Sequence, residues 1–171
     1  VGLGAFTAVV ADAGVSVARQ VDVPITTGNS YTVATALEGL EQAMQAMGQR
    51  LEDSAVAVLG ASGSIGRACA RALANRAGRL VLVARNEGPL PEVADEVRAR
   101  GGAADVMTDV GSAVRRADAV VAVTSALDAV VDAEDLRPGA VVCDVARPRN
   151  VGRAVAERRD DVLVIEGGVV S

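Results

Sequence analysis

Histidine, lysine and tryptophan are missing from this chain, and its aromatic residues are Phe6 and Tyr31 alone. These gaps remove whole mechanisms. With no histidine there is no imidazole general base and no imidazole metal ligand. With no lysine there is no Schiff-base chemistry. All 17 basic residues are arginine, set among 22 acidic ones for a net charge of −5. The pairs Arg115-Arg116 and Arg158-Arg159 are too short to track a phosphate backbone, so nucleic acid is not an expected partner. Cysteine is scarce as well. Cys69 and Cys143 lie far apart with no C-x-x-C pattern, which excludes a disulfide framework and offers no metal site. Their scarcity fits a reduced, cytoplasmic setting. No apolar run reaches the roughly 18 residues of a membrane span.

What the chain has is aliphatic. Half of its 171 residues are hydrophobic, so the core must be built from Val, Ala, Leu and Ile. Short Val-rich runs suit strands covered on both faces. From Ser54 onward such runs alternate with helical patterns. Strands are expected at Val56–Leu59, Leu80–Ala84, Asp105–Met107, Ala119–Val123, Ala140–Asp144 and Val162–Ile165. Helices are expected at Ser64–Arg76 and near Pro91–Arg100, and a short one is expected to start at Val114–Arg116. This alternation predicts an α/β fold of Rossmann type: a doubly wound parallel sheet in the order 3-2-1-4-5-6.

Residues 1–30 do not read as a domain. Leu3–Val10 suggests a short helix and Gln20–Ile25 an extended piece, together the tail of a preceding domain. Residues 31–48 form a linking helix with an apolar stripe at Val33, Leu37, Leu40, Met44 and Met47, capped by Ser30 and ended by Gly48. Residues 54–171 are the expected dinucleotide domain. The chain begins at Val rather than Met and stops directly after an apolar run, and we read it as a piece of a longer protein.

The richest motif is Gly60-Ala-Ser-Gly63-Ser-Ile-Gly66, between the first expected strand and its helix. Three glycines spaced three apart in that setting let a backbone approach a pyrophosphate. The first permits the turn, the second the approach, the third the packing of helix on strand. Gly60, Ser62, Gly63, Ser64, Ile65 and Gly66 are therefore the candidate phosphate contacts. A turn that merely packs a helix is the plainer alternative. Cofactor choice is read after the second strand, at Ala84-Arg85-Asn86. An acidic residue there would hold the ribose hydroxyls of NAD. Arg85 instead favours the 2′-phosphate of NADP(H), with Asn86 beside it.

Further candidates line the carboxyl ends of the strands. Thr124 and Ser125 follow strand four, at the switch point where ligands bind in open sheets. They either line the cofactor cleft or simply end a strand. Asp144 and Arg147 follow strand five, and either shape the cleft or pair with each other. Gly167, in Glu166-Gly167-Gly168, permits close approach by the cofactor or makes a turn. Thr27, Gly28 and Asn29, in the polar turn before the linking helix, are candidates for a substrate cleft between two domains.

Taken together the motifs resemble the shikimate dehydrogenase / glutamyl-tRNA reductase superfamily, and within it the long-chain acyl-[acyl-carrier-protein] reductases. The resemblance rests on Val1-Gly-Leu-Gly-Ala-Phe-Thr7, Ile25-Thr-Thr-Gly-Asn-Ser30, Gly60–Gly66, Ala84–Asn86 and Glu166-Gly-Gly-Val-Val170, and covers essentially the whole chain. It implies an NADPH-dependent reductase that takes an acyl thioester to an aldehyde, with acyl carrier protein as the partner that presents the acyl chain. It also implies a nucleophilic cysteine a few residues past Ser171, with neither Cys69 nor Cys143 in that role. One segment departs. Asp144-Val-Ala-Arg-Pro-Arg-Asn150 is more similar to the D-x-A-x-P-R of glutamyl-tRNA reductases than to the glycine-rich loop of the acyl reductases. A shikimate- or quinate-type dehydrogenase, a glutamyl-tRNA reductase and a non-catalytic NADP sensor remain the alternatives.

Overall fold

Strand formation follows from where valines fall. The structure, a computed structural model, describes residues 1–3 and 14–167. Six strands form one sheet: β1 (Ala55–Leu59), β2 (Arg79–Val83), β3 (Ala104–Met107), β4 (Ala119–Ala122), β5 (Val141–Asp144) and β6 (Leu163–Glu166). Every pairing is parallel and the order is β3-β2-β1-β4-β5-β6, as the alternation predicted. Side chains alternate across a strand, so β1 sends Val56 and Val58 to one face and Ala57 and Leu59 to the other. Both faces are packed.

Helices cover both sides. On one face lie α2 (Asn29–Ala46), α3 (Ser64–Leu73) and α4 (Leu90–Arg98), whose buried residues join Val56, Val58, Leu80 and Leu82. On the other lie the short α5 (Val110–Val114) and α6 (Arg153–Arg158), with Ala113, Val114 and Val155 against Val120 and Val142. Without aromatics the layers close on alanine and glycine. A Cβ on Gly102 would stand 2.0 Å from the Ala74 carbonyl oxygen.

α2 packs on α3, β5 and β6. It buries Val33, Leu37, Leu40 and Met44, whereas Met47, expected in the same stripe, sits at the helix end and is over a third exposed. The cap also differs from expectation. Gly28, with φ 77°, takes the N-cap position and the helix starts at Asn29, so Ser30 falls inside the first turn and caps nothing. The C-terminus closes at Gly48, whose N–H reaches the Gln45 carbonyl (3.0 Å) while the Gln49 N–H reaches that of Met44 (2.8 Å). The Gln49 side chain then donates to the Gly139 carbonyl at 2.8 Å, fastening α2 to the turn before β5.

Other boundaries move. α3 ends at Leu73, before the expected Arg76. α5 lies earlier than the Val114–Arg116 expected, because the Asp109 side chain accepts the Ser112 N–H at 2.7 Å and starts the helix there. α6 and the four-residue α1 (Val15–Ala18) were not expected. The extended piece Gln20–Ile25 forms no named strand; the Val1 ammonium donates to the Pro24 carbonyl, and Gly2 makes a parallel bridge with Thr26 just past the piece. The helix expected at Leu3–Val10 falls almost wholly outside the described residues, as does Gly168.

Candidate functional site

The carboxyl ends of β1, β2 and β4 meet at one place. The N–H groups of Gly60 and Ala61 both donate to the Val83 carbonyl, at 2.8 and 3.0 Å, so the glycine loop hangs on the end of β2. Gly60 has φ 87°, and a Cβ there would lie 2.8 Å from the Val123 carbonyl oxygen. That closeness puts the β1 exit beside the β4 exit. Gly66 is fixed still more tightly, since its Cβ would stand 2.2 Å from the Gly60 carbonyl oxygen. Helix and strand can approach only because no side chain intervenes.

Gly63 differs from both. It is exposed, has ordinary extended backbone angles, and its Cβ would meet nothing nearer than the Gly60 oxygen at 3.3 Å. Space above it is open. The N–H groups of Ser62, Ser64, Ile65 and Gly66 have no acceptor among the described residues. Orphan donors at the start of a ten-residue helix, under an open glycine, fit a pyrophosphate. The arginines of α3 itself are committed elsewhere. Arg67 is held by Glu92 and Glu96, which keep its guanidinium firmly protonated, and Arg71 shares Glu96.

Arg85 stands two residues past Val83, beside the loop. It is exposed and makes no ion pair or hydrogen bond with any described residue. Asn86 is occupied locally, its Oδ1 accepting the Gly88 N–H at 3.0 Å. Thr124 is brought against Gly60, while Ser125 is exposed one position further out. The Thr124 Oγ1 accepts the Ala126 N–H at 3.1 Å, and its own N–H donates to Asn150 Oδ1 at 2.9 Å. Asn150 is fully buried and had no role in the sequence reading, although it closes the D-x-x-x-P-x-N segment. Thr27, Gly28 and Asn29 also arrive here, because Asn29 Nδ2 lies 3.4 Å from Ser64 Oγ.

One expectation is corrected. Asp144 and Arg147 do not pair. Asp144 is buried and holds the following loop, taking the Ala146 N–H on Oδ1 (3.0 Å) and the Val151 N–H on Oδ2 (2.9 Å). Arg147 instead reaches Glu166 at 3.2 Å, alongside Arg149. Gly167 has a packing reason of its own. A Cβ there would stand 2.7 Å from both Cys143 Sγ and Val145 Cγ2, and 3.0 Å from Ala36 Cβ. Its bare side faces α2.

Neither thiol is available for chemistry. Cys69 and Cys143 are fully buried, and burial pushes each up to about 12. The Cys143 thiol donates to the Ala36 carbonyl at 3.5 Å. The larger cavity, about 460 Å³, lies elsewhere, between α2 and α3. A smaller one, about 280 Å³, sits beside Arg149, Arg153 and Glu166. The glycine loop and Arg85 line neither, so the site is defined by its donors and open backbone. Among the described residues no helix is long and apolar enough to cross a membrane.

An all-parallel six-stranded sheet in the order β3-β2-β1-β4-β5-β6, with a glycine loop of orphan donors where β1 and β4 leave the sheet, is the architecture of a nicotinamide dinucleotide-binding domain of the oxidoreductases. The family described as shikimate / quinate 5-dehydrogenase matches residues 41–166, and the chain belongs to that family. Among individual proteins, it is 34% identical to the aminotransferase PigE of Serratia sp. (strain ATCC 39006), over 100% of this chain and 20% of that protein. It is also 34% identical to the long-chain acyl-[acyl-carrier-protein] reductase of Synechococcus elongatus, over 85% of this chain and 41% of the other. The chain thus spans a fifth to two fifths of the curated relatives it matches. Among solved structures, glutamyl-tRNA reductase from Methanopyrus kandleri superposes with a TM-score of 0.62 at 27% identity, covering 79% of this chain and 34% of that one. Quinate dehydrogenase from Corynebacterium glutamicum, in complex with NAD, shares the fold with a TM-score of 0.57 at 20% identity, covering 78% and 51%.

Proposed function

We propose that this chain is the NADP(H)-binding part of a reductase that converts an acyl thioester to an aldehyde. The observation that carries the cofactor choice is Arg85: exposed, without a partner among the described residues, and next to the phosphate loop with no carboxylate at the end of β2. A free guanidinium there binds a 2′-phosphate by charge-assisted hydrogen bonds, whereas Arg147 and Arg149, past the end of β5, are paired with Glu166. When bound, the cofactor supplies the hydride. The loop N–H groups would hold the pyrophosphate and Thr124 would line the cleft beside it, while Asp144 and Asn150 keep the β5 loop in place.

The thioester substrate is supported by the likeness to the acyl-[acyl-carrier-protein] reductase over 85% of this chain. The likeness to an aminotransferase fits the same product, since an aldehyde carbonyl is what transamination converts to an amine. Residues 1–30 as the tail of a substrate-side domain, and a nucleophilic cysteine beyond Ser171, belong to this reading.

Two measurements test it. Titration should show tighter binding of NADPH than of NADH, and Arg85→Asp should reverse the order, since one charge-assisted contact contributes roughly 1.5–3 kcal/mol. Equal affinities in the unsubstituted chain would end the NADP assignment. The whole protein, supplied with NADPH and an acyl-carrier-protein thioester, should release aldehyde. Oxidation of shikimate or quinate, with no aldehyde from any thioester, would move it to the dehydrogenase branch.

A further inference from the structure

We propose that Asn29, at the start of the linking helix α2, is a further donor in the dinucleotide site, so that the turn at 26–29 and the cofactor phosphates are bound to each other. The inference rests on the dinucleotide reading of the 60–66 loop.

The placement comes from two helices that begin side by side. Ser64 opens α3 and is one of the loop's orphan donors. Asn29 opens α2, and its Nδ2 stands 3.4 Å from Ser64 Oγ. A phosphate oxygen bonded to Ser64 lies about 3 Å from it, and one seated on the Asn29 side of Ser64 comes within hydrogen-bond reach of the Asn29 amide. That amide is weakly engaged. Its contact to Ser64 is some half an ångström longer than a typical N–H···O bond of about 2.9 Å, and its Oδ1 has no partner among the described residues. Trading the serine hydroxyl for an anionic oxygen shortens and strengthens the bond.

The residue is also held where it would be needed. Thr26 Oγ1 accepts the Gly28 N–H at 3.2 Å and Thr27 Oγ1 accepts the Asn29 N–H at 3.5 Å, while α2 is anchored along its length by Val33, Leu37, Leu40 and Met44. The electrostatics leave room for it. Arg67, the nearest arginine in sequence to the loop, is committed to Glu92 and Glu96, and the chain has no lysine. With Arg85 assigned to the 2′-phosphate, the loop's neutral donors are left to hold the pyrophosphate, and Asn29 adds one from outside the sheet domain's own loop.

The test is NADPH titration by fluorescence, with the thermal midpoint of each unliganded variant recorded alongside. Asn29→Ala should weaken NADPH about three- to tenfold, as the loss of one hydrogen bond does. Asn29→Asp should weaken it more than tenfold, because a carboxylate faces the pyrophosphate. A carboxylate in the first turn favours the helix itself, so the unliganded Asn29→Asp protein should melt no lower than the parent. A purely structural role for Asn29 predicts the opposite pattern, with binding kept in the aspartate variant. Unchanged NADPH affinity in Asn29→Asp would overturn the proposal. Gly63→Val separates the two levels of the argument: if it abolishes binding while Asn29→Asp binds normally, the inference alone fails. If Gly63→Val also binds normally, the phosphates lie elsewhere and both fail.

Discussion

At the scale of single residues, the three loop glycines carry different constraints although the motif makes them look alike. Gly66 has no room for a methyl group, its Cβ falling 2.2 Å from a backbone oxygen. Gly66→Ala should therefore push α3 off β1 and destabilise the fold by about 1–3 kcal/mol, the usual range for overpacking. Gly63→Ala should fold normally, since its Cβ contact of 3.3 Å asks only for a small adjustment. Urea unfolding of the two variants distinguishes them. Equal stabilities would mean that the loop relaxes freely and that the glycine spacing is not a packing device. The thiols make a second residue-scale case. Both are neutral in the folded chain up to about pH 12, against an ordinary value near 9. A group whose folded pKa is raised keeps its full contribution below the unfolded value and loses it as pH climbs between the two. Stability should hold to about pH 9 and then fall, and less steeply in the Cys69→Ala/Cys143→Ala protein. At pH 8 a thiol reagent should react with neither until the chain unfolds.

At the scale of elements, Asp144 does more than end a strand. Its two oxygens each take a backbone N–H from opposite ends of the loop between β5 and α6. Asp144→Leu leaves both N–H groups buried without acceptors, at about 1–3 kcal/mol each, and should lower stability by several kcal/mol in denaturant titration. Asp144→Asn keeps one acceptor and should cost about half as much. A leucine variant as stable as the parent would show that the loop finds other partners. The elements also show what the sequence made legible. The strands stood out because parallel strands are buried on both faces and so are written in valine, and the glycine spacing marked the loop. Helix α5 was displaced because Gly111 breaks its pattern and only Asp109 marks its start. Helix α6 was missed because a single buried residue, Val155, faces the core. Contacts across long gaps in sequence were invisible for a different reason. Asn29 with Ser64 and Asn150 with Thr124 join residues 35 and 26 apart, and such pairs exist only once α2 and the β5 loop are packed on the sheet.

At the scale of the whole molecule, the arrangement separates two tasks. The described chain offers a glycine loop with orphan N–H donors and, beside it, an arginine without a partner among the described residues, an arrangement that suits the proposed hydride donor. Capture of an acyl group needs something else. In the proposed reaction a thiolate attacks the thioester carbonyl, the carrier thiol leaves with a proton, and hydride transfer to the resulting acyl-enzyme yields aldehyde while returning the enzyme thiolate. An attacking thiol must be accessible and ionise near working pH. Cys69 and Cys143 fail on both counts, being fully buried with pKa values pushed up to about 12. Residues 1–171 alone should therefore bind NADPH yet release no aldehyde from an acyl-carrier-protein thioester. The longer protein proposed to hold the acyl-capturing cysteine should release it, and should keep that activity after Cys69→Ser and after Cys143→Ser, each checked for folding by circular dichroism. Aldehyde formed by residues 1–171 themselves, or lost from the longer protein when a well-folded Cys143→Ser variant is assayed, would place the nucleophile inside the sheet and require β5 to open during turnover.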